Sequence, residues 1–327
     1  MTPAGQPTVG PQPSPWIGRG RSAIRRGGIV IPFVVAFAAL SIASPSFLRF
    51  TNLANILDQQ AGIIIVAAAG TLVLIAGGID LSVGAIYGLA GATAAQLAVS
   101  TSTPVAVVAA VAVGLGVGIV NGVIVTRFRI SPLIGTLAMS FVVGGIGAIA
   151  THGNLVVVFD HPEFQAFAAT KILGLTSAAW MMIVVAIAAA VLLGRTTIGR
   201  YVYATGGNAE AARLGGVRIN TIRIATFALS GAAAALAGSI DASRVLSAQA
   251  SAGQFLTFTV LTGIIVGGTS ILGGEGSVQR TVLGCLFVAL VANGFNLLGL
   301  DPFYQQITLG IILLLAVGTD AWSRRFD

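Results

Sequence analysis

An aspartate at position 80 stands in the run Gly77-Gly78-Ile79-Asp80-Leu81-Ser82, between apolar stretches at 67–76 and 83–99. A carboxylate flanked this way lies in or beside a hydrocarbon layer, where a lone charge costs roughly 2.5–3.5 kcal/mol on insertion scales. Two kinds of chemistry are open to it. With Ser82 nearby, it can cap a helix beginning near Val83, or it can touch whatever moves through the protein. Glycines 77 and 78 weaken the helix here, so exposed backbone groups must be satisfied by protein or by a water-filled cavity.

Little else has the makings of a reactive site. Cys285 lies inside an apolar run and reads as a small core residue. His152 and His161 share a stretch with Asp160 and Glu163 but lack a recognisable metal-ligand spacing, so no metal is expected. The glycines of 266–277 look like a phosphate loop, yet no Lys-Ser or Lys-Thr follows and no strand precedes them. No Walker A sequence occurs anywhere, so the chain is expected to bind no nucleotide and no cofactor. Within the apolar runs there is no His/Asp/Glu or Ser/His group for hydrolysis.

Composition sets the frame for these residues. Hydrophobic residues make up 56% and charged residues 8%, with mean hydropathy +0.95, whereas a soluble domain carries about 25% charge. The continuous apolar runs have the lengths of membrane-spanning helices, not the alternating ten-residue strands of a barrel. The fold class is therefore all-α, a polytopic transmembrane bundle of about ten helices (8–10). The spans fall near 29–48, 60–77, 83–100, 104–125, 132–150, 177–193, 222–241, 255–272, 281–298 and 305–322.

The net charge of +7 does not point to nucleic acid, because the arginines fall in short stretches between apolar runs. With an N-terminus inside, fourteen basic residues lie on the cytoplasmic side and three outside: Arg49, Lys171 and Arg244. That bias follows the positive-inside rule and favours an even number of spans with both termini cytoplasmic. Segments two and three flank the island and form either two spans or a re-entrant pair. Residues 1–28, rich in Pro, Gly and Gln, read as a disordered cytoplasmic tail before a retained first helix, and 29–327 as one transmembrane domain. Amphipathic stretches at 53–60 and within 151–176 are candidates for the membrane interface.

Three further motifs carry information. Asn121-Gly122 is followed by Ser131-Pro132-Leu133-Ile134-Gly135-Thr136, with Pro132 suited to a helix start. Asn293-Gly294 and Pro302 echo it at different spacing. Thr136, Ser140, Asn121, Asn293 and Asn296 either glue helices or face a pathway. Glycines at 114, 118 and 122, and at 263 and 267, form small-residue stripes for close helix packing. In the 195–221 loop, Asn208 can cap a short helix from Ala209 to Leu214 that Gly215 or Gly216 ends. A small-faced helix outside the membrane suits docking in a partner's groove. The last motif is the glycine run 267–276.

Together these four ordered motifs resemble the permease subunits of ribose-type bacterial ABC importers, over nearly everything after residue 50. The resemblance implies a subunit without covalent chemistry of its own in the cytoplasmic (inner) membrane. Its expected partners are an ABC ATPase with two nucleotide-binding domains, an extracytoplasmic solute-binding protein, a second permease copy or paralogue, and the lipid bilayer. It implies transport of a ribose-like monosaccharide, with a hexose, signalling sugar or nucleoside as the alternative. Asn208, Glu210, Ala211, Ala212 and Gly216 match the ATPase-coupling segment. Gly77, Gly78, Asp80, Ser82, Asn121, Thr136, Ser140, Asn293 and Asn296 remain pathway or helix-break candidates. An ion-coupled carrier is the rival class, but a proton relay needs several intramembrane carboxylates, and Asp80 stands nearly alone.

Overall fold

The computed structural model describes residues 28–323, with side chains to 318, so the expectation for the tail falls outside the described residues. Thirteen helices are found among them. Six are long and apolar enough to cross a membrane, and four shorter apolar helices accompany them. These ten correspond to the ten expected segments. The central post is α10 (Ile219–Val245), which packs most extensively on α4 (Thr103–Arg127), α3 (Val83–Ala98) and α2 (Phe50–Ile75).

Small residues explain why α10 can take so many neighbours. Gly114, Gly118 and Gly122 of α4 face Gly231, the Phe227–Ala228 backbone and Ile224 in turn, so the two helices run antiparallel at backbone contact. Gly91 of α3 meets Gly238 the same way. Without hydrophobic drive between helices in lipid, such close packing is what holds them together.

Two of the ten crossings are not continuous helices. After α2 the chain turns and runs as non-helical backbone from Gly77 to Leu81, reaching Ser230 near the middle of α10 before α3 begins. The second broken crossing follows α10. Strand β4 (Ser247–Ala248) pairs antiparallel with β1 (Val156–Val157) at the far end, and irregular backbone then runs inward to α11 (Leu256–Val266). In the first crossing the helix occupies the half nearer β4, and in the second the half away from it. Gly84 and Gly253 press backbone to backbone where they pass, and a side chain on either would overlap the other's carbonyl oxygen.

The remaining elements close the bundle. Helices α5 (Pro132–Thr151), α7 (Ser177–Arg195) and α12 (Val278–Leu297) are full spans, and α1 (Val30–Ala43) and α13 (Pro302–Ser323) flank α12. The stretch at 53–60, expected at the interface, instead continues α2, which starts ten residues earlier than the apolar run alone indicates. The reason lies in its partners: Ile56 packs with Phe47 and Leu290, and Asn52 exchanges amide hydrogen bonds with Asn293. Segment eight is likewise shorter than expected, since Gly267 and Gly268 end α11. Helix α6 (Pro162–Ala169) buries Phe164 and Ala168 at the C-terminal end of α10, where Ser243 donates to the Phe164 carbonyl.

The glycine contacts yield a direct expectation. Gly231→Val should destabilise the purified protein by about 2–3 kcal/mol through overpacking against the Gly114 backbone. Gly144→Ala, in open space on α5, should leave the melting curve in detergent unchanged or slightly raised. Equal melting shifts for the two variants would contradict the packing described.

Candidate functional site

The island is built as a helix end followed by a helix start. At the end of α2, the Gly78 N–H bonds the Val73 carbonyl at 2.9 Å and the Gly77 N–H bonds that of Leu74 at 3.0 Å. This paired closure needs a residue in the left-handed region, and Gly77 supplies it at φ +79°. The chain then climbs to Asp80, whose side chain is 6% exposed. Its Oδ1 accepts from the Ser82 N–H at 3.0 Å and the Ser82 hydroxyl at 2.6 Å, and its Oδ2 accepts from the Ser230 hydroxyl at 2.9 Å. The carboxylate thus sits at the N-terminus of α3, where the helix dipole favours negative charge.

A second ring of polar groups secures the extended backbone. Asn121 of α4 donates to the Ser82 hydroxyl at 2.7 Å. Thr136, in the first turns of α5, accepts from the Leu81 N–H at 2.9 Å and bonds the Ile79 carbonyl at 3.1 Å. Thr257, in the first turn of α11, accepts from the Gly84 N–H at 3.1 Å. Asp80, Ser230 and Thr257 also share a cavity of about 10 Å³, the size of one water. The N-terminal ends of two half-length helices therefore meet around one carboxylate, half-way along α10.

The expected residues divide cleanly by location. Gly77, Gly78, Asp80, Ser82, Asn121 and Thr136 come together in this cluster. Ser140 bonds the Leu137 carbonyl on its own helix, Asn293 pairs with Asn52 near the start of α2, and Asn296 is exposed. His161 lies 3.1 Å from Glu163, and no group of three metal-ligating side chains is present among the described residues.

At the end of the bundle away from β4 the other two motifs converge on the break. The loop is a helix pair: α8 (Thr197–Gly207) and α9 (Ala209–Leu214). Gly206 abuts the Ile75 carbonyl and the Gly274 nitrogen, and the Gly274 N–H bonds the Ile75 carbonyl at 2.8 Å. Tyr203 of α8 donates to the Gly276 carbonyl at 2.9 Å. Gly206, Gly273 and Gly274 thus pack beside Gly77 and Gly207 in a hub where a Cβ added at any of the first three would overlap a neighbour's backbone. Helix α9 hangs from it. Asn208 Oδ1 accepts from the Ala211 N–H at 2.9 Å, and Gly216 ends the helix at φ +85°. Glu210 and Arg213, both fully exposed, pair across one turn; the guanidinium holds the Glu210 carboxyl below its usual range. The pair therefore persists at neutral pH and is lost only as acid carries the solution down through that lowered value.

Sequence reasoning missed the second broken span. Its signal was the polar, small-residue run Ser247-Ala248-Gln249-Ala250-Ser251-Ala252-Gly253-Gln254 between apolar stretches, which resembles the first island in character.

A polytopic bundle with two interrupted crossings and a capped helix projecting from one end defines the class of membrane transport proteins. The chain belongs to the family described as branched-chain amino acid transport system/permease component, which matches residues 52–317. Ribose import permease protein RbsC of Escherichia coli (strain K12) is 39% identical over 295 residues, spanning 89% of this chain and 92% of that protein. RbsC of Bacillus subtilis is 38% identical over 294 residues, with 88% and 91% covered. The L-arabinose transport system permease protein AraH of Escherichia coli (strain K12) is 36% identical over 302 residues, with 91% of each covered. No solved structure matches the chain. The protein is a membrane permease, a transport subunit and not an enzyme.

Asp80 provides the check on the cluster. Asp80→Leu should cost at least ~3 kcal/mol, because the Ser82 N–H and two hydroxyls lose their acceptor in a buried site. Asp80→Asn keeps one acceptor oxygen and should cost ~1–2 kcal/mol. Thermal unfolding in detergent reads both; two variants as stable as the unmodified protein would remove Asp80 from the fold.

Proposed function

We propose that this permease forms the path for a pentose or related monosaccharide across the cytoplasmic membrane, driven by ATP hydrolysed in a partner. The observation that carries the reading is the full-length similarity to permeases named for ribose and arabinose import. The family description names branched-chain amino acids instead. A zwitterionic cargo needs a fixed charge free to receive it, whereas the Asp80 carboxylate at mid-span is taken up by two hydroxyls and an N–H. A neutral polyol asks only for hydrogen-bonding groups.

The partners follow from the same relatives: an ABC ATPase inside, a solute-binding protein outside, and a second permease copy or paralogue. Sidedness rests on charge. Arg127, Arg129, Arg195, Arg200, Arg213, Arg218 and Arg280 lie at the α8–α9 end, and Arg49, Lys171 and Arg244 at the other. The positive-inside rule makes the α8–α9 end cytoplasmic, together with both chain ends.

Helix α9 is the proposed docking element for the ATPase, with Asn208, Glu210, Ala211, Ala212 and Gly216 shaping it. Its base abuts the Gly77 break through Gly206, so a displacement of α9 reaches the broken span through backbone contacts. ATP binding shifts an equilibrium between outward-open and inward-open forms only if the ATPase contacts α9 differently in each.

In proteoliposomes holding the transporter with its binding protein, Glu210→Lys should reduce ATP-driven uptake at least tenfold while basal ATPase activity persists. Gly216→Val, β-branched and forced into the left-handed region at about 1–2 kcal/mol, should do the same, with Gly216→Asn milder. Uptake that survives ATP depletion but collapses with an ion gradient would overturn the ATP-driven reading.

A further inference from the structure

A second cavity lies at the opposite end of the bundle from α9. It is half-open, with a volume of ≈180 Å³, bordered by α3, the C-terminal end of α10, Leu155, and β4 with the backbone that follows it. That volume holds at least about six waters at roughly 30 Å³ each, the bulk of a single sugar ring with its hydroxyls. The functional groups around it are few: Tyr87, Asp241, Ser247 and Gln249.

Their chemistry selects among ligands. A carboxylate accepts hydroxyl protons, the Gln249 amide both donates and accepts, and the Tyr87 ring offers an apolar face. Asp241 is already hydrogen-bonded to Arg244, which also donates to the Asp58 carbonyl at 3.0 Å. A cation would therefore meet a carboxylate whose charge is shared, and no basic side chain lines the cavity to hold an anion. A small neutral polyol meets none of these objections. The walls are backbone-smooth, because Gly88 and Gly91 admit the Ala250 and Gly238 backbones in direct contact. Gln249 and Ala252 lie on the stretch that continues to Gly253, where the second broken span presses on Gly84. The cavity is thus the outer terminus of the interrupted crossings.

We propose that this cavity is a low-affinity monosaccharide site, receiving the sugar at the outer mouth before it passes the broken spans. It rests on the sugar-permease reading above and adds a place and four contacting residues. Gln249, exposed at the rim, and Ala252 are the residues to change, because neither belongs to the Arg244 network.

The test is saturation-transfer NMR of D-ribose on the full-length permease in nanodiscs, without binding protein. Ribose should give a saturable millimolar signal, weakened about fivefold by Gln249→Ala, the loss of one hydrogen bond. Ala252→Phe should fill the cavity and abolish the signal, with unchanged gel-filtration and melting profiles. L-leucine should not compete. No saturable ribose signal, a signal indifferent to Ala252→Phe, or displacement by L-leucine each overturns the site. ATP-driven ribose uptake by the reconstituted transporter is scored separately. Uptake without the signal removes the site and leaves the permease reading standing, whereas the signal without uptake keeps the site and removes that reading.

Discussion

Everything in this structure depends on satisfying non-helical backbone half-way along α10. Hydrocarbon offers no partners to free N–H and C=O groups, so irregular backbone at that depth survives only where protein supplies them. Here two half-length helices, α3 and α11, begin at the same level, and each N-terminus carries about half a positive charge. Asp80 answers with one carboxylate, buried and bonded to Ser82 and Ser230. Thr257, Thr136 and Asn121 satisfy the groups that Asp80 does not reach.

That arrangement also explains the glycines. The half of the first crossing that follows α2 is extended, so the end of α2 lies open to neighbours, and backbone from α8 and from residues 273–274 packs directly against it. At Gly206, Gly273 and Gly274 that packing leaves no room for a side chain. The same reasoning applies where Gly84 meets Gly253: the two interrupted crossings move together or separate at that contact. The interrupted spans are thereby held to each other at Gly84 and Gly253, and the first is tied to α8 at Gly206.

Much of the architecture is legible in the sequence. The ten apolar runs match ten apolar helices, because an apolar run is a property of composition, although partners move the ends of α2 and glycines those of α11. The short helix Ala209–Leu214 is announced by Asn208 and Gly216, whose capping chemistry is local. Legibility fails where partners are distant. Residues 53–60 look amphipathic, yet Asn52 meets Asn293 two hundred and forty-one positions away. The polar character of 247–254 is visible, but that it forms the mirror image of the first island depends on Gly84 and Thr257 meeting across the bundle. Ser140, Asn293 and Asn296 have residue types as suitable as those of Asn121 and Thr136. Only the three-dimensional arrangement separates them.

The central claim is that the two broken spans share one polar joint. The most direct measurement is a double-mutant cycle between Asp80→Asn and Thr257→Val, read by unfolding free energy of the purified protein. The two side chains do not bond each other, but they border the same small cavity, and Thr257 accepts from the helix that Asp80 caps. A shared joint predicts a coupling of about 0.5–2 kcal/mol, the double variant differing by that much from the sum of the singles. Additivity within about 0.3 kcal/mol would show the two interruptions to be independent and contradict the account.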